Sequence, residues 1–248
     1  MEKNNQSTRQ NHLSGLSLFT LSVILILNLI SARCNAQAAL LVFIFGDKIA
    51  TEKFHTSIDA GLNFASFNGL DPAKARPGLY FGLGTFLKLN DKWAFVPEFK
   101  PLSQRSLRKA PALLEYINIT DPTYGLQLNY IDIPIMFQYK ITPHFFVSAG
   151  PQISFLTSAD QIVNGVIAQS ENDVEIVENR RSDFNSMYFC LPVEVGYSLP
   201  EVIPGQGIDL KVRYDIGFNN VIKTEAYGSS SINCLQLMLS FPFIEKSN

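Results

Sequence analysis

An eight-stranded antiparallel up-and-down transmembrane β-barrel is the fold class this sequence predicts, and three observations predict it. Eight segments of apolar/polar alternation follow one another between Phe54 and Phe243, their connections alternate short and long, and an export-type leader precedes them. The segment 208–218 is the plainest. Ile208, Leu210, Val212, Tyr214, Ile216 and Phe218 alternate there with Asp209, Lys211, Arg213, Asp215 and Gly217. Such a strand has one oily face for lipid and one charged face for a lumen.

The leader is residues 1–36. Lys3 and Arg9 open it, an apolar run covers 13–30, and small residues at 34–38 suit a signal peptidase. A retained membrane helix is the alternative, since the run is nearly long enough to span, but Ser14, Ser17, Ser22 and Asn28 dilute it. Arg33 precedes Cys34 where a lipoprotein signal wants Gly or Ala, so no lipid anchor is expected. Residues 37–53 form an N-terminal periplasmic extension whose apolar run 39–45 reads equally as helix or strand. The barrel domain is 54–243 and a tail covers 244–248.

The first strand, 54–67, sets Ile58, Ala60, Leu62 and Phe64 outward and Asp59 and Asn63 inward. The second, 78–89, sets Leu79, Phe81, Leu83, Leu87 and Leu89 outward against Tyr80, Gly82, Gly84 and Lys88. Asn90-Asp91 makes a tight hairpin because both tolerate positive φ. The third, 92–102, has Trp93, Phe95 and Phe99 outward and Glu98 and Lys100 inward. In the fourth, 125–141, the apolar phase moves from Leu126 and Leu128 to Ile131, Ile133 and Ile135, which predicts a bulge near Tyr130-Ile131. The fifth is 144–157, with Ser148, Gly150, Gln152 and Ser154 inward; the sixth is 186–199, with Cys190 and Glu194 inward; the eighth is 232–243, with Gln236 and Ser240 inward.

Short turns at 90–91, 142–143 and 200–206 alternate with longer loops, of which 104–124 and 158–185 are the largest. That asymmetry puts the short turns in the periplasm and the long loops outside. Trp93 stands where an interfacial aromatic belt would want it. Pro97, Pro134, Pro151, Pro192 and Pro242 fall inside strands, which demands bulges or local breaks. Cys190 and Cys234 lie on the sixth and eighth strands, which are not neighbours, so two free thiols are expected.

Several segments resemble the Bacteroidetes outer-membrane β-barrel proteins often called PorT-like: Ile58-Asp59-Ala60-Gly61-Leu62-Asn63, Tyr130-Ile131-Asp132-Ile133-Pro134, Gly150-Pro151, Pro192-Val193-Glu194-Val195-Gly196-Tyr197 and Tyr214-Asp215-Ile216-Gly217. The resemblance covers about 54–243 and implies a barrel in the bacterial outer membrane, with a role in protein secretion for a minority of the family. It also implies handling by the barrel-insertion machinery, although residues 244–248 follow Phe243 where many such proteins end on an aromatic.

The inward charges expected to form a lumen network are Asp59, Glu98, Asp132, Glu194, Asp209 and Asp215 with Lys88, Lys100, Lys140, Lys211 and Arg213. An eight-stranded barrel is only wide enough for its own side chains, so these charges should pair and plug it. A narrow ion path is the functional rival. Arg105, Arg108 and Lys109, beyond the third strand, suit contacts to lipopolysaccharide phosphates. No catalytic, cofactor or metal residues are expected. His55 and His144 open strands at the periplasmic end and lack partners at metal spacing, and Asp160, Glu171, Asp173, Glu175 and Glu178 match no calcium loop. Asn118-Ile119-Thr120 is a chance glycosylation match. With net charge −2 and no long basic run, nucleic acid is not an expected partner. Outer-membrane lipid, lipopolysaccharide and an unidentified protein are. The reading is a non-enzymatic barrel with an interaction, envelope-structural or secretion-accessory role in its loops. The alternatives are a narrow porin-like channel and a secreted lipocalin-like binder, the latter disfavoured because the inward face is the charged one.

Overall fold

The computed structural model describes residues 53–70, 72–113, 116, 118–167, 172–200, 207–223 and 230–243. The leader 1–36, the extension up to residue 52 and the tail 244–248 lie outside the described residues. Ten strands are present among the described residues: β1 Phe54–Phe67, β2 Lys74–Lys88, β3 Trp93–Arg108, β4 Ile119–Lys140, β5 Phe145–Ala149, β6 Gln152–Ile167, β7 Asp173–Asn179, β8 Met187–Ser198, β9 Asp209–Gly217 and β10 Ile232–Phe243.

Eight staves close into an antiparallel ring. β1 pairs with β2, β2 with β3, β3 with β4, and β4 with both β5 and β6, which together make one stave. That stave pairs with β8, β8 with β9, β9 with β10, and β10 returns to β1 with Ile58 opposite Phe241 and Leu62 opposite Leu237. Leu210, Val212, Tyr214 and Ile216 on β9 and Leu235, Leu237, Leu239 and Phe241 on β10 form part of a belt of exposed large apolar side chains. Their neighbours Lys211, Arg213 and Asp215 are buried inside. The period-two alternation of the sequence is therefore the wall of the barrel.

The expected fifth strand is not continuous. It breaks at Gly150-Pro151, where the Ile135 N–H donates to the Pro151 carbonyl at 2.9 Å and the Gly150 N–H reaches the Pro192 carbonyl at 3.3 Å. A Cβ at Gly150 would collide with the Ile135 carbonyl, so only glycine lets the two backbones approach this closely. Pro151 thus sits in a break, as its missing N–H requires, whereas Pro97, Pro134, Pro192 and Pro242 stay within strands.

Two expected loops are largely strand. β3 runs on to Arg108 and β4 begins at Ile119, which reduces the loop expected at 104–124 to the stretch between them. β6 continues to Ile167 and β7 returns against it, so the loop expected at 158–185 is a hairpin followed by a short 3-10 turn at Arg181–Asp183. Beyond the ring, β4, β6 and β7 form a three-stranded sheet that stands above the long-loop end.

The bulge expected near Tyr130 exists, but its extra residue is on the partner strand. Asn129 pairs with Ser158 and Tyr130 with Leu156, leaving Thr157 of β6 unpaired in register. β4 keeps one phase, with Leu126, Leu128, Tyr130 and Asp132 all inward and buried. The apolar residues change face because the interior itself changes character. A second bulge lies in β3 near Pro101-Leu102, between the pairs Lys100–Asp132 and Ser103–Tyr130. It turns Ser103, Arg105 and Leu107 inward in place of the even positions.

Candidate functional site

The only built chemistry within the described barrel is its interior. On the side of the short turns, Arg213 of β9 sits between two carboxylates: its Nη1 and Nη2 donate to Glu98 of β3 at 2.8 and 2.6 Å, and its Nε and Nη2 donate to Glu194 of β8 at 2.8 and 2.6 Å. Strands from opposite sides of the ring are thereby bridged through the lumen. Lys100 Nζ lies 3.4 Å from Glu98 and donates to Gln236 Oε1 at 3.2 Å, with the Tyr80 ring 4.8 Å away. Lys211 pairs with Asp59 at 3.7 Å, Ser57 donates to Asp59, and Ser148 donates to Glu194.

One layer higher, Arg105 pairs with Asp132 at 3.0 Å and lies over the rings of Tyr130 and Tyr188, at 4.4 and 5.2 Å. Asp215 is 4.0 Å from Arg105 and accepts from Gln236 Nε2 at 3.0 Å. Among the described residues the buried charges are then Asp59, Glu98, Asp132, Glu194 and Asp215 against Lys100, Arg105, Lys211 and Arg213. Five acids face four bases, so the layer is nearly neutral and carries one carboxylate in excess.

Above this layer the interior is apolar. Leu107, Leu126, Leu128, Leu156, Phe184 and Ile232 are among the buried residues of one cluster, which the connecting segments help to cover with Leu70, Ala110, Val221 and Ile222. Phe184 bridges Ile222 across the mouth, and the Tyr188 hydroxyl donates to the Ile232 carbonyl. Tyr116 donates to Glu178 at 2.6 Å, and Arg180 holds Asp183 at 2.6 Å, tying the outer segments together.

Of the eleven expected lumen charges, eight are buried: Asp59, Glu98, Lys100, Asp132, Glu194, Lys211, Arg213 and Asp215. Asp209 is half-buried and lines a cavity of about 410 Å³ at the short-turn mouth. Lys88 is corrected: it stands at that rim and pairs with Asp91 of the turn at 2.9 Å. Lys140 lines the same mouth, but it is exposed at the end of β4 and stands outside the buried charges. Arg105 is not a surface lipopolysaccharide contact; it is completely buried in the lumen. Ending the third strand at 102 hid the bulge that turns it in. Arg108 and Lys109 are exposed at the outer end of β3, Lys109 with a φ of 54°. Cys190 and Cys234 are free and buried, and His144 lies exposed against the Ser198 carbonyl at the short-turn end.

A family model described as "Outer membrane protein beta-barrel domain" matches residues 35–223. The chain belongs to that family. Solved structures similar to this outer-membrane barrel include Neisserial surface protein A, at 14% identity and a TM-score of 0.42, covering 78% of this chain and 98% of that one. OprG from Pseudomonas aeruginosa gives 13% and 0.41, covering 80% and 100%. Ail, the attachment invasion locus protein of Yersinia pestis, gives 12% and 0.39, covering 77% and 97%. No curated protein matches the chain.

Proposed function

We propose that this outer-membrane barrel is a non-enzymatic, electrically closed scaffold. Its long-loop end faces the outside and carries an interaction, envelope-structural or secretion-accessory role of the PorT-like kind. The observation that carries the reading is the two-part seal: a layer of paired charges cross-bridged by Arg213, capped by an apolar cluster. A lumen only wide enough for side chains leaves no continuous water column when both parts are filled. Paired charges of this kind suit a plug better than a reaction centre. The export-type leader, the short-turn periplasmic side and insertion by the barrel machinery belong to the same reading.

Planar-bilayer recording tests it. The purified wild-type barrel should be silent, and stable ion-selective steps would replace the scaffold with the narrow porin.

A further inference from the structure

Among the described residues, the three-stranded sheet above the ring ends in a strand with a neighbour on one side only. β7 pairs with β6 alone among the described residues. The Ile167 N–H donates to the Asn172 carbonyl at 3.0 Å, and the Arg180 N–H donates to the Ala159 carbonyl at 2.7 Å. These two bonds fix the ladder. In an antiparallel pair, hydrogen-bonded positions alternate with positions whose backbone faces the other way. The even-numbered residues of β7 therefore bond β6, and the N–H and C=O groups of Asp173, Glu175, Val177 and Asn179 face outward from the sheet. Those same four side chains are exposed, Val177 by 60%.

The outer face beside this edge is acidic. A groove of about 550 Å³ is lined by the carboxyl-bearing Asp121, Asp173 and Glu175 together with Asn164 and Val174, and no Lys or Arg is among its described lining residues. An edge with free backbone groups accepts an added strand, and the flanking side chains select which one. A second copy of β7 would bring its own acids; a segment rich in Lys or Arg would neutralise them.

We infer that β7 is a docking edge for an extended cationic segment of a partner polypeptide, which adds antiparallel or parallel to β7 and sets basic side chains over Asp173 and Glu175. The inference deepens the scaffold reading by naming the class of partner, and it rests on that reading only for the partner's location outside the cell. The binding itself is measurable whichever way the barrel faces and whether or not it conducts.

The test uses the full barrel in detergent or nanodiscs and a short synthetic peptide of alternating lysine and valine. Val177→Pro removes an outward N–H while keeping every charge and every bond to β6, because proline is tolerated where the N–H faces away from the ladder. Asp173→Asn with Glu175→Gln keeps the backbone edge and removes the charge. Wild type should bind the peptide, and each variant should weaken binding by about tenfold or more. Hydrogen exchange should slow at the outward amides of Glu175 and Val177 in the wild-type complex. Retained heat-modifiable gel migration would show that both variants fold, and Ile176→Pro, which does remove a bond to β6, serves as the misfolding control. Unchanged binding by Val177→Pro would reduce the effect to diffuse charge attraction and overturn strand addition. A wild type that ignores the peptide would mean that the acids only keep copies apart, and self-association abolished by Val177→Pro would give the edge to a second copy. Either result overturns the inference.

Discussion

The lower and upper halves of the lumen are built by the same staves and hold together by opposite means. Near the short turns, Arg213 is locked to Glu98 and Glu194 by charge-assisted hydrogen bonds, and Lys100 and Lys211 form ion pairs with Glu98 and Asp59. Near the long loops, Leu126, Leu128, Leu156, Phe184 and Ile232 close the barrel by packing. Both interiors are shielded from water by the same apolar outer belt. The contrast teaches that the inward face of a membrane stave is not bound to be polar: once loop segments cover the mouth, the upper lumen can be an ordinary hydrophobic core. The charged half cannot be trimmed one group at a time, because each ion is there only by virtue of its partner.

The largest expected effect comes from breaking that dependence. Arg213→Ala leaves Glu98 and Glu194 facing each other without their shared cation and should cost about 3–5 kcal/mol of folding stability. Urea unfolding of the lipid-inserted barrel, followed by heat-modifiable gel migration, measures it. Combining Arg213→Met with Glu98→Gln and Glu194→Gln should recover much of the loss, since it removes both carboxylates together with the cation they share, while Lys100 keeps its bond to Gln236. A triple variant as unstable as Arg213→Ala would mean that shape, and not charge, dominates this layer.

The upper half should fail differently. Leu128→Ala removes a completely buried side chain from the apolar cluster and should cost roughly 2–5 kcal/mol, starting lower because a cavity can partly close. Its signature is independence from pH and salt, since no charge is exposed by it. A salt-dependent loss would show that the two halves are coupled through Tyr130 and Arg105, and the separation drawn between them would not stand.

The barrel wall was legible from alternation alone, because lipid on one side and side chains on the other impose the same period on every stave. Asp59, Glu98, Glu194, Lys211 and Arg213 followed from it. What alternation could not convey was the change of interior from charged to apolar. Leu126 and Leu128 looked like lipid-facing residues out of phase, when they were inward residues in phase. Arg105 was missed for a related reason: the β3 bulge at Pro101-Leu102 reverses which residues point inward, and the expected strand stopped there. The hairpin of β6 and β7 was hidden by its polarity. Its residues alternate, but with Asn, Asp and Glu on a sheet that continues beyond the ring, so the pattern resembles a loop. Lys88 and Lys140 were placed by parity at stave ends, where parity no longer decides exposure.

The smallest expected effect is at the rim, and it marks where the charged half stops. Lys88 and Asp91 form an ion pair at 2.9 Å, yet the Asp91 side chain is 98% exposed, so solvent screens what the buried pairs retain. The hydrogen bond and positive charge of Lys88 hold the Asp91 carboxyl below its ordinary range. A carboxyl depressed in the folded state contributes stability above its unfolded value and loses it as pH falls through the folded one. Whatever this pair contributes is therefore present at neutral pH and disappears only in strong acid. Asp91→Asn should leave the unfolding midpoint at neutral pH and physiological salt within experimental scatter, and should flatten only the acid limb of the stability profile at low salt. A neutral-pH loss approaching that of Arg213→Ala would extend the locked layer to the short-turn rim and erase the boundary between a sealed lumen and an open mouth.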